Sequence, residues 1–389
     1  MKILYDHQIF QMQNFGGISR YFHELFSRFQ EEKDVEIELS LLYSNNVYID
    51  KYSNIKKKFT KGDHFQKSFG GKHFYGKHFL YKLLYEKKDV IPNFELLNKK
   101  NTINKLKEGD FDVFHATYYD DYFLEYIGEK PYVITVHDLI HQIYPEYFLG
   151  NKIDKNKKLL ENAAGIIAIS ETTKKDLKVY FDIPDNKIQV IYHASSLLKN
   201  EDTHDQFTGK IPPNFLLFVG SRPIYKNFYF LVEAFAKISE EYPNLFLICT
   251  GSSFSAIEID FFERLNIKDK VLHFFVNDNE LIYLYQNALC FVFPSLYEGF
   301  GIPILEAYEN KCCTLLSNTR SLKEVGQDGA LYFEPKNFDS LINSLKRILN
   351  DKKLRIELTN KGIEIHKKYS WEKASAETLK FYKELIKDI

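Results

Sequence analysis

Two glutamates flank a glycine-rich loop in the second half of the chain, in the stretch PSLYEGFGIPILEAYEN, residues 294–310. Glu298 precedes Gly299 and Gly301, and Glu306 follows eight positions after the first glutamate. Glycines let the backbone approach a ligand closely, free amides at a helix N-terminus attract phosphate oxygens, and a carboxylate inside the helix can accept hydrogen bonds from a ribose diol. This junction suits a nucleoside diphosphate sugar, although the same spacing also fits a capped helix beside a solvated loop.

Two cations occupy another predicted strand-to-helix loop of the same half. Arg222 and Lys226 lie in VGSRPIYKN, residues 219–227, directly after an apolar run. Each alone is typical of a solvated surface, but two cations near a glycine loop can bind a pyrophosphate. Because cleavage of an anomeric bond leaves negative charge on the departing phosphate, such a site needs oriented donors more than a strong base. We therefore expect a phosphate clamp.

Short apolar runs alternate with helix-period segments along the chain, which predicts an α/β protein whose parallel sheets are covered by helices. In the first half, strands are expected at residues 3–5, 35–43, 112–117, 132–136, 165–169 and 189–193. In the second half, strands are expected at residues 215–220, 245–251, 271–276, 290–294, 312–317 and 331–333. Apolar residues at helical spacing predict helices near residues 18–29, 227–242, 280–288 and 302–310.

The length of 389 residues favours two domains, each with its own apolar core. A polar stretch that ends in two prolines, residues 197–213, is typical of a linker. We therefore expect one domain at residues 1–196 and a second at residues 214–370. A further helix-period segment begins at Trp371 and extends over residues 371–389.

Overall composition indicates no special class of partner, because 52 Lys and Arg are balanced by 53 Asp and Glu. The first residues lack the apolar core of a signal peptide, and no uncharged apolar run of about 18 residues occurs, so we expect a cytoplasmic protein without a transmembrane helix. Four cysteines without CxxC spacing are expected to be buried structural thiols: Cys249, Cys290, Cys312 and Cys313.

Residues 51–88 form the one compositionally biased segment, with eleven lysines against Asp63 and Glu86 and with many interleaved aromatic rings. One interpretation is a solvated insertion in the first domain. Another is a peripheral contact with the inner face of the cell membrane, because lysines attract anionic head groups and aromatic rings insert at the interface. No nucleic-acid motif accompanies the lysines, so we expect no nucleic-acid partner.

Residues 298–306 match the E-x7-E motif of the retaining GT-B glycosyltransferases, and the chain resembles glycosyltransferase family 4 over nearly its whole length. NFGGISRY at 14–21 resembles the family's glycine loop, TVHDLI at 135–140 its His-Asp segment, and AISETTKKDL at 168–177 its Ser-x-x-Thr helix start. SNTRSLKEVG at 317–326 follows in the expected place. The NFGGISRYF form is similar to bacterial mannosyltransferases that build O-antigen and other surface polysaccharides.

The resemblance implies a retaining transferase with GDP-mannose as the favoured donor and a saccharide or lipid-linked saccharide as the acceptor. Glu306 would hold the ribose hydroxyls, and the amide of Leu305 would meet a phosphate. Glu298 would grip the transferred sugar with the backbone of the next three residues, Gly299, Phe300 and Gly301. Arg222 and Lys226 would neutralise the leaving diphosphate without a metal ion or cofactor.

In the first half of the chain, Gly16 and Gly17 would bring their loop against the diphosphate, and His137 would contact the sugar. The resemblance also implies a GT-B fold, in which two Rossmann-like parallel-sheet domains face each other across a cleft and the C-terminal helix packs back on the first domain. Ser170 is expected to cap the following helix, with substrate contact secondary, and Asp138 to cap the turn that follows it. Glu298 is the one carboxylate to test as a covalent nucleophile.

Other functions share parts of this pattern. Asp110 and Asp112 could form the Asp-x-Asp metal motif of another transferase fold, but they lie at the entrance to an apolar strand, where turn-forming aspartates are common. A UDP-sugar-dependent transferase of the same family would use the same site. A sugar-nucleotide 2-epimerase would bind the same donors without a separate acceptor, and a non-catalytic protein would bind them without turnover. The glycine loop at 14–21 and the E-x7-E spacing favour transfer.

Overall fold

The structure is a computed structural model that describes residues 1–49, 54–58, 61–68, 72, 76–85, 92–148, 153–197 and 211–387. Within these ranges the protein contains two six-stranded parallel sheets with helices packed against them. The predicted α/β class is confirmed. The four cysteines are buried and unbridged, as expected. None of the described helices combines the length and the apolar character needed to cross a membrane.

The first sheet has the strand order β2-β1-β3-β4-β5-β6. Its strands are β1 (Lys2–Tyr5), β2 (Glu36–Leu39), β3 (Val113–Ala116), β4 (Tyr132–Val136), β5 (Gly165–Ala168) and β6 (Ile188–Val190). Strand β4, with the sequence YVITV, is buried throughout, as expected for a parallel strand that is covered on both faces. The ring of Tyr5 lies 5.9 Å from that of Phe22 and 4.6 Å from that of Phe26, so the predicted helical stripe of residues 18–29 faces the core.

The second sheet has the strand order β12-β11-β10-β7-β8-β9. Its strands are β7 (Phe215–Phe218), β8 (Phe246–Cys249), β9 (Val271–His273), β10 (Cys290–Phe293), β11 (Thr314–Ser317) and β12 (Ala330–Phe333). The chain builds β7, β8 and β9 outward in one direction and then returns to place β10 on the other side of β7. This is the doubly wound Rossmann order, and its reversal lies between β7 and β10.

The helices connect the strands of each sheet. Those in the first half are α1 (Gln8–Met12), α2 (Gly17–Phe29), α3 (Lys61–Lys67), α4 (Lys77–Tyr85), α5 (Phe94–Glu108), α6 (Ile140–Ile143), α7 (Ile153–Glu161) and α8 (Glu171–Phe181). Those in the second half are α9 (Phe228–Glu241), α10 (Ala256–Arg264), α11 (Asp278–Asn287), α12 (Ile302–Glu309), α13 (Arg320–Gly326), α14 (Phe338–Asn350), α15 (Lys352–His366) and α16 (Trp371–Lys387). The three helices predicted in the second half correspond to α9, α11 and α12.

The chain divides into two compact units, and each is described by itself. The first unit consists of Met1–Thr135, Lys155–Ile166 and Phe381–Ile389. The second consists of Val136–Asp154 and Ile167–Lys380. The segments that follow β4 and β5 therefore pack within the unit that carries the second sheet, which matters for the site described below.

The predicted linker at residues 197–213 lies largely on residues 198–210, which are outside the described part of the chain. The domain boundaries inferred from the sequence stay a prediction. The end of α16 belongs to the first unit, where the hydroxyl of Tyr382 lies 3.1 Å from that of Tyr5 and 2.5 Å from Nδ1 of His115.

Candidate active site

The loops that carry the predicted cations and carboxylates adjoin at the reversal of strand order in the second sheet. Strand β10 pairs directly with β7, so the loops at their carboxyl ends are neighbours. Ligands of open α/β sheets bind at the carboxyl ends of the strands, at such a reversal. Here Nζ of Lys226 lies 2.6 Å from Oε1 of Glu298, and the two side chains are only 16% and 13% exposed. Two of the predicted site residues are thus brought into direct contact.

The position of Lys226 follows from a short turn after β7. A single 3-10 turn, Ile224–Lys226, ends at Asn227, whose left-handed backbone (φ 57°) leads into α9. The amide of Leu296 donates to the carbonyl of Tyr225 at 2.8 Å, which ties this turn to the loop after β10. The loop that carries Lys226 and the loop that carries Glu298 are therefore joined through both backbone and side chains.

Arg222, the second predicted cation, is held by a different carboxylate. Its Nε donates to Oε1 of Glu258 at 2.5 Å, and its Nη2 donates to the carbonyls of Ser252 and Ser253 at 2.7 and 2.9 Å. The guanidinium also lies 4.9 Å from the ring centre of Phe254, and the side chain is 5% exposed. Among the described residues, Nη1 of Arg222 has no hydrogen-bond partner. A buried donor without a partner costs free energy, so Nη1 is the nitrogen of Arg222 that still has hydrogen-bond capacity to donate.

Glu258 is fixed in its ionised form by the groups around it. Burial raises the pKa of Glu258, but hydrogen bonds from Arg222 and Ser255 outweigh burial and hold the pKa below its usual value. Ser255 and Glu258 also form a capping box at the start of α10. The motif S-x-x-E in the sequence could have predicted this helix start. The S-x-x-E motif does not predict that Glu258 binds Arg222.

Gly299 lies where the loop after β10 meets the loop after β4. A Cβ atom on residue 299 would lie 1.7 Å from the carbonyl oxygen of His137 and 3.1 Å from Cβ of Asp138. The carbonyl of Gly299 accepts a hydrogen bond from Oγ of Ser170 at 2.6 Å. The residue after Glu298 must therefore be glycine for the backbone to pass this closely, and the segment that carries His137 lies against the glycine loop within this unit.

Ser170 and Asp138 adopt the capping roles expected from the sequence. Oγ of Ser170 accepts from the amide of Thr173 at 2.9 Å and caps α8. Oδ1 of Asp138 accepts from the amide of Ile140 at 3.1 Å, and burial raises the pKa of this carboxyl group. Ser170 thereby joins the start of α8 to the glycine loop through its contact with the carbonyl of Gly299.

The helix after the glycine loop presents the second glutamate. Gly301 caps α12 with a left-handed backbone (φ 109°), which glycine adopts without strain. Leu305, the fourth residue of the helix, is fully buried. Glu306 is 8% exposed, and its Oε2 accepts a hydrogen bond from the hydroxyl of Tyr285 at 3.0 Å. Tyr285 lies on α11 and orients the carboxylate, a contact for which the sequence gives no indication.

His137 is paired with a second histidine that the sequence analysis does not identify. Its Nδ1 lies 3.4 Å from Nε2 of His193, and the two rings are stacked with centres 5.5 Å apart. Burial lowers the pKa of His137 to about 3 and places that of His193 well below its usual value. Both rings are therefore neutral at physiological pH. The ring of His193 also packs edge-on against that of Phe300 in the glycine loop.

Gly16 and Gly17 belong to the first unit and begin α2. A Cβ atom on Gly16 would lie 2.5 Å from Oε1 of Gln13, whereas one on Gly17 would meet nothing within 4 Å. Oε1 of Gln13 accepts from the amide of Ser19 at 3.1 Å, so the Gln13 side chain occupies the space beside Gly16. Their predicted contact with a diphosphate stays a prediction.

The two aspartates of the discarded Asp-x-Asp motif also lie in the first unit, and both are engaged by Lys2. Nζ of Lys2 lies 2.8 Å from Oδ2 of Asp110, and the backbone amide of Lys2 donates to Oδ2 of Asp112 at 2.7 Å. These contacts hold the start of β1 beside the residues that precede β3. They give both carboxylates a structural role.

Two family models match the chain. Residues 73–195 match the model described as Glycosyltransferase Family 4, and residues 200–365 match the model described as Glycosyl transferases group 1. Together these matches include all predicted site residues except Gly16 and Gly17.

Two proteins of similar sequence are named mannosyltransferases. The chain is 26% identical over 390 residues to O-antigen chain mannosyltransferase B of Escherichia coli, covering 94% of this chain and 96% of that protein. It is 30% identical over 219 residues to O-antigen chain mannosyltransferase RfbU of Salmonella typhimurium, covering 55% and 60%. Anabaena HepE, solved in complex with UDP and glucose, superimposes with a TM-score of 0.72 at 16% identity, covering 98% and 99%. At that identity the likeness concerns the fold.

Proposed function

Because this chain belongs to the family 4 glycosyltransferases, we propose that it moves mannose from GDP-mannose to a saccharide or lipid-linked saccharide acceptor of a bacterial surface polysaccharide, with retention of anomeric configuration. The observation that carries this proposal is the Lys226–Glu298 pair at the strand-order reversal of the second sheet. The names of two relatives, both O-antigen mannosyltransferases, support mannose as the sugar.

The Lys226–Glu298 pair suits a donor that is both anionic and rich in hydroxyls. Without substrate, each charge compensates the other in a largely buried position. When a diphosphate enters, it supplies the negative charge that Lys226 needs. The carboxylate of Glu298 then becomes available to accept hydrogen bonds from sugar hydroxyls.

The proposed reaction breaks the bond between the anomeric carbon and the diphosphate oxygen. Positive charge develops on the sugar and negative charge on the leaving phosphate, and we expect Lys226, Nη1 of Arg222 and the first amides of α12 to stabilise this negative charge. The acceptor hydroxyl oxygen forms the new bond on the same face of the sugar, and its proton passes to the leaving phosphate oxygen. This route requires neither a covalent nucleophile nor a metal ion.

The carboxylate of Glu306 completes the proposed donor site. Its contact with Tyr285 fixes one oxygen, and a carboxylate in this position can accept hydrogen bonds from the ribose diol. Because GDP and UDP share the same ribose, this contact does not select the base. Donor identity must therefore be tested directly.

The first experiment measures thermal shifts with a panel of nucleoside diphosphate sugars that includes GDP-mannose, UDP-glucose and UDP-N-acetylglucosamine, all in EDTA. It then measures release of nucleoside diphosphate with and without lipid-linked saccharide acceptors. The proposal predicts a shift with GDP-mannose and acceptor-dependent release of GDP without a divalent ion. A shift with a UDP-sugar alone would correct the donor, and a requirement for a divalent ion would contradict the metal-independent mechanism.

The same experiment separates the two other functions that the sequence leaves open. An epimerase would convert the donor sugar without an acceptor, and the stereochemistry at C2 of the recovered sugar would change. A non-catalytic binding protein would give a thermal shift without release of nucleoside diphosphate under any condition. Proton NMR of the anomeric centre in the product distinguishes retention from inversion.

We also propose that the enzyme contacts the inner face of the cell membrane through the described part of residues 51–88. On α4, Phe79 and Leu83 are 70% and 71% exposed, and Leu80 and Leu84 are also exposed on the same side of the helix. On the opposite side, the ring of Tyr81 packs edge-on against Phe65 of α3 at 5.0 Å. The helix thus directs an apolar face to solvent, an arrangement suited to insertion among anionic head groups beside the lysines of this segment.

A further inference from the structure

The donor-side loop and His137 are in direct backbone contact. The carbonyl oxygen of His137 occupies the space that a side chain on Gly299 would need. His137 as a whole residue is 9% exposed. Its orientation is therefore set by its neighbours within the same unit, and one polar neighbour is His193.

The contact between His137 and His193 constrains both rings. Nδ1 of His137 faces Nε2 of His193 at 3.4 Å. In a pair of neutral imidazoles, one of the two facing nitrogens must carry the proton and the other must accept it. Whichever facing nitrogen carries the proton also decides whether Nε2 of His137 and Nδ1 of His193 are protonated. The tautomer of His137 is therefore coupled to that of His193.

His193 is itself held in place by aromatic packing. Its ring lies 5.6 Å from that of Trp371, and the indole Nε1 donates to Oγ of Ser196 at 2.7 Å. The ring of Phe300 packs edge-on against it at 5.8 Å. His193 therefore sits between the start of α16, the glycine loop and His137, and a shift of its ring would change the support of His137.

We propose that His193 is a positioning residue, which holds the ring of His137 in one orientation and one neutral tautomer so that His137 can form a directed hydrogen bond with the donor sugar. This inference rests on the proposed function, because it assumes that His137 meets the transferred sugar. His193 acts only through His137. It should affect turnover without changing the affinity for the nucleoside diphosphate.

Two isosteric substitutions separate a hydrogen-bonding role from simple core packing. In His193→Gln, the side-chain amide can occupy the place of the imidazole Nε2, where it can both donate to and accept from His137. In His193→Asn, the shorter amide corresponds to Nδ1 and cannot reach His137. Both variants remove the aromatic ring, so they lose similar packing against Trp371 and Phe300. His193→Phe retains a ring but cannot form the hydrogen bond.

The experiment measures kcat, KM for GDP-mannose and the dissociation constant of GDP for the wild type and the three variants. It also records 15N NMR spectra of the histidine rings, with the His137 signals assigned from His137→Gln. We expect His193→Asn and His193→Phe to lower kcat about ten- to hundredfold, with the dissociation constant of GDP unchanged within about twofold. His193→Gln should recover most of the activity. The His137 ring nitrogens should shift in the Asn and Phe variants and remain close to wild type in the Gln variant.

Tyr369→Leu serves as the packing control, because the Tyr369 ring contacts Phe300 at 5.8 Å. It should lower the melting temperature without moving the ring signals of His137. Equal activity in all variants, or unchanged His137 spectra in His193→Phe, would overturn the positioning role. If the wild type turned over no donor at all, the proposed function would fail, while the spectra would still decide whether His193 sets the tautomer of His137.

Discussion

The carbonyl oxygen of His137 lies 1.7 Å from the point that a Cβ atom on Gly299 would occupy. This contact joins the His-Asp segment after β4 to the loop that carries Glu298. It also explains why the residue after Glu298 is glycine, because any side chain would force two backbones apart.

Gly299→Ala should destabilise the protein by about 1–3 kcal/mol, because the added methyl group overpacks a backbone contact that cannot relax. It should also lower turnover, because the displaced loop carries Glu298. Urea unfolding and kcat with GDP-mannose measure the two effects. Gly17→Ala is the control for stability, since a Cβ there meets nothing within 4 Å. Wild-type stability and turnover for Gly299→Ala would show that the loop moves freely.

Lys226→Met should leave the largely buried carboxylate of Glu298 without its partner and cost about 3 kcal/mol of unfolding free energy. The double variant Lys226→Met with Glu298→Gln removes both charges and should recover most of this loss. Neither variant should recover turnover, because leaving-group charge develops only in the transition state. The double variant is therefore informative: recovery of kcat together with stability would remove Lys226 from the mechanism.

Much of this arrangement could be predicted from the sequence for a physical reason. All twelve strands were expected, because parallel strands covered on both faces appear as short, nearly continuous apolar runs. The two edge strands of the first sheet are the least accurately predicted: the sequence predicts β2 at 35–43 and β6 at 189–193, but they are Glu36–Leu39 and Ile188–Val190. An edge strand pairs on one side only, so its apolar pattern defines its end poorly.

The contacts that orient the site residues could not be predicted in the same way. Lys226 and Glu298 were expected near each other because each follows a strand of the same sheet. The partners of Arg222 and His137 are Glu258 and His193, which are 36 and 56 positions away in the sequence. No periodicity links such pairs. Glu258 lies on α10, and His137 and His193 follow β4 and β6, which are separated by β5 in the sheet, so only tertiary packing brings these residues together.

Glu306→Gln should weaken donor binding about tenfold, because a neutral amide accepts hydrogen bonds from a ribose diol less strongly than a carboxylate. Tyr285→Phe should produce a smaller loss, since it removes only the hydrogen bond that orients Glu306. Isothermal titration with GDP compares the two. Because the contact is made in both ground and transition states, kcat at saturating donor should change little. Unchanged affinity in Glu306→Gln would exclude the ribose contact.

The pair formed by Arg222 and Glu258 should make stability depend on pH. Because the folded protein lowers the pKa of Glu258, the stabilisation is fully present above the ordinary glutamate pKa of about 4.3 and is lost as the pH falls through the lowered value. Glu258→Gln should therefore cost about 1–3 kcal/mol at neutral pH and progressively less in acid. Glu263→Gln is the matched control, because its pair with Lys268 is exposed and screened by solvent, so its loss should change stability little at any pH. A loss that does not depend on pH would contradict this account of Glu258.

The exposed apolar face of α4 offers a direct test of membrane contact. Phe79→Glu with Leu83→Glu should lower binding to vesicles of phosphatidylglycerol and phosphatidylcholine at least about tenfold, since burial of each large apolar side chain contributes about 1.5–3 kcal/mol. Val179→Glu is the control at another helix, because Val179 on α8 is 75% exposed, lies beside one exposed apolar residue, Tyr180, and is outside residues 51–88. Binding of the wild type should weaken with added salt and on vesicles of phosphatidylcholine alone, because lysines provide part of the attraction. Equal cosedimentation of the double variant and the wild type would show that α4 is not the inserting element, and the exposed face would then need another partner.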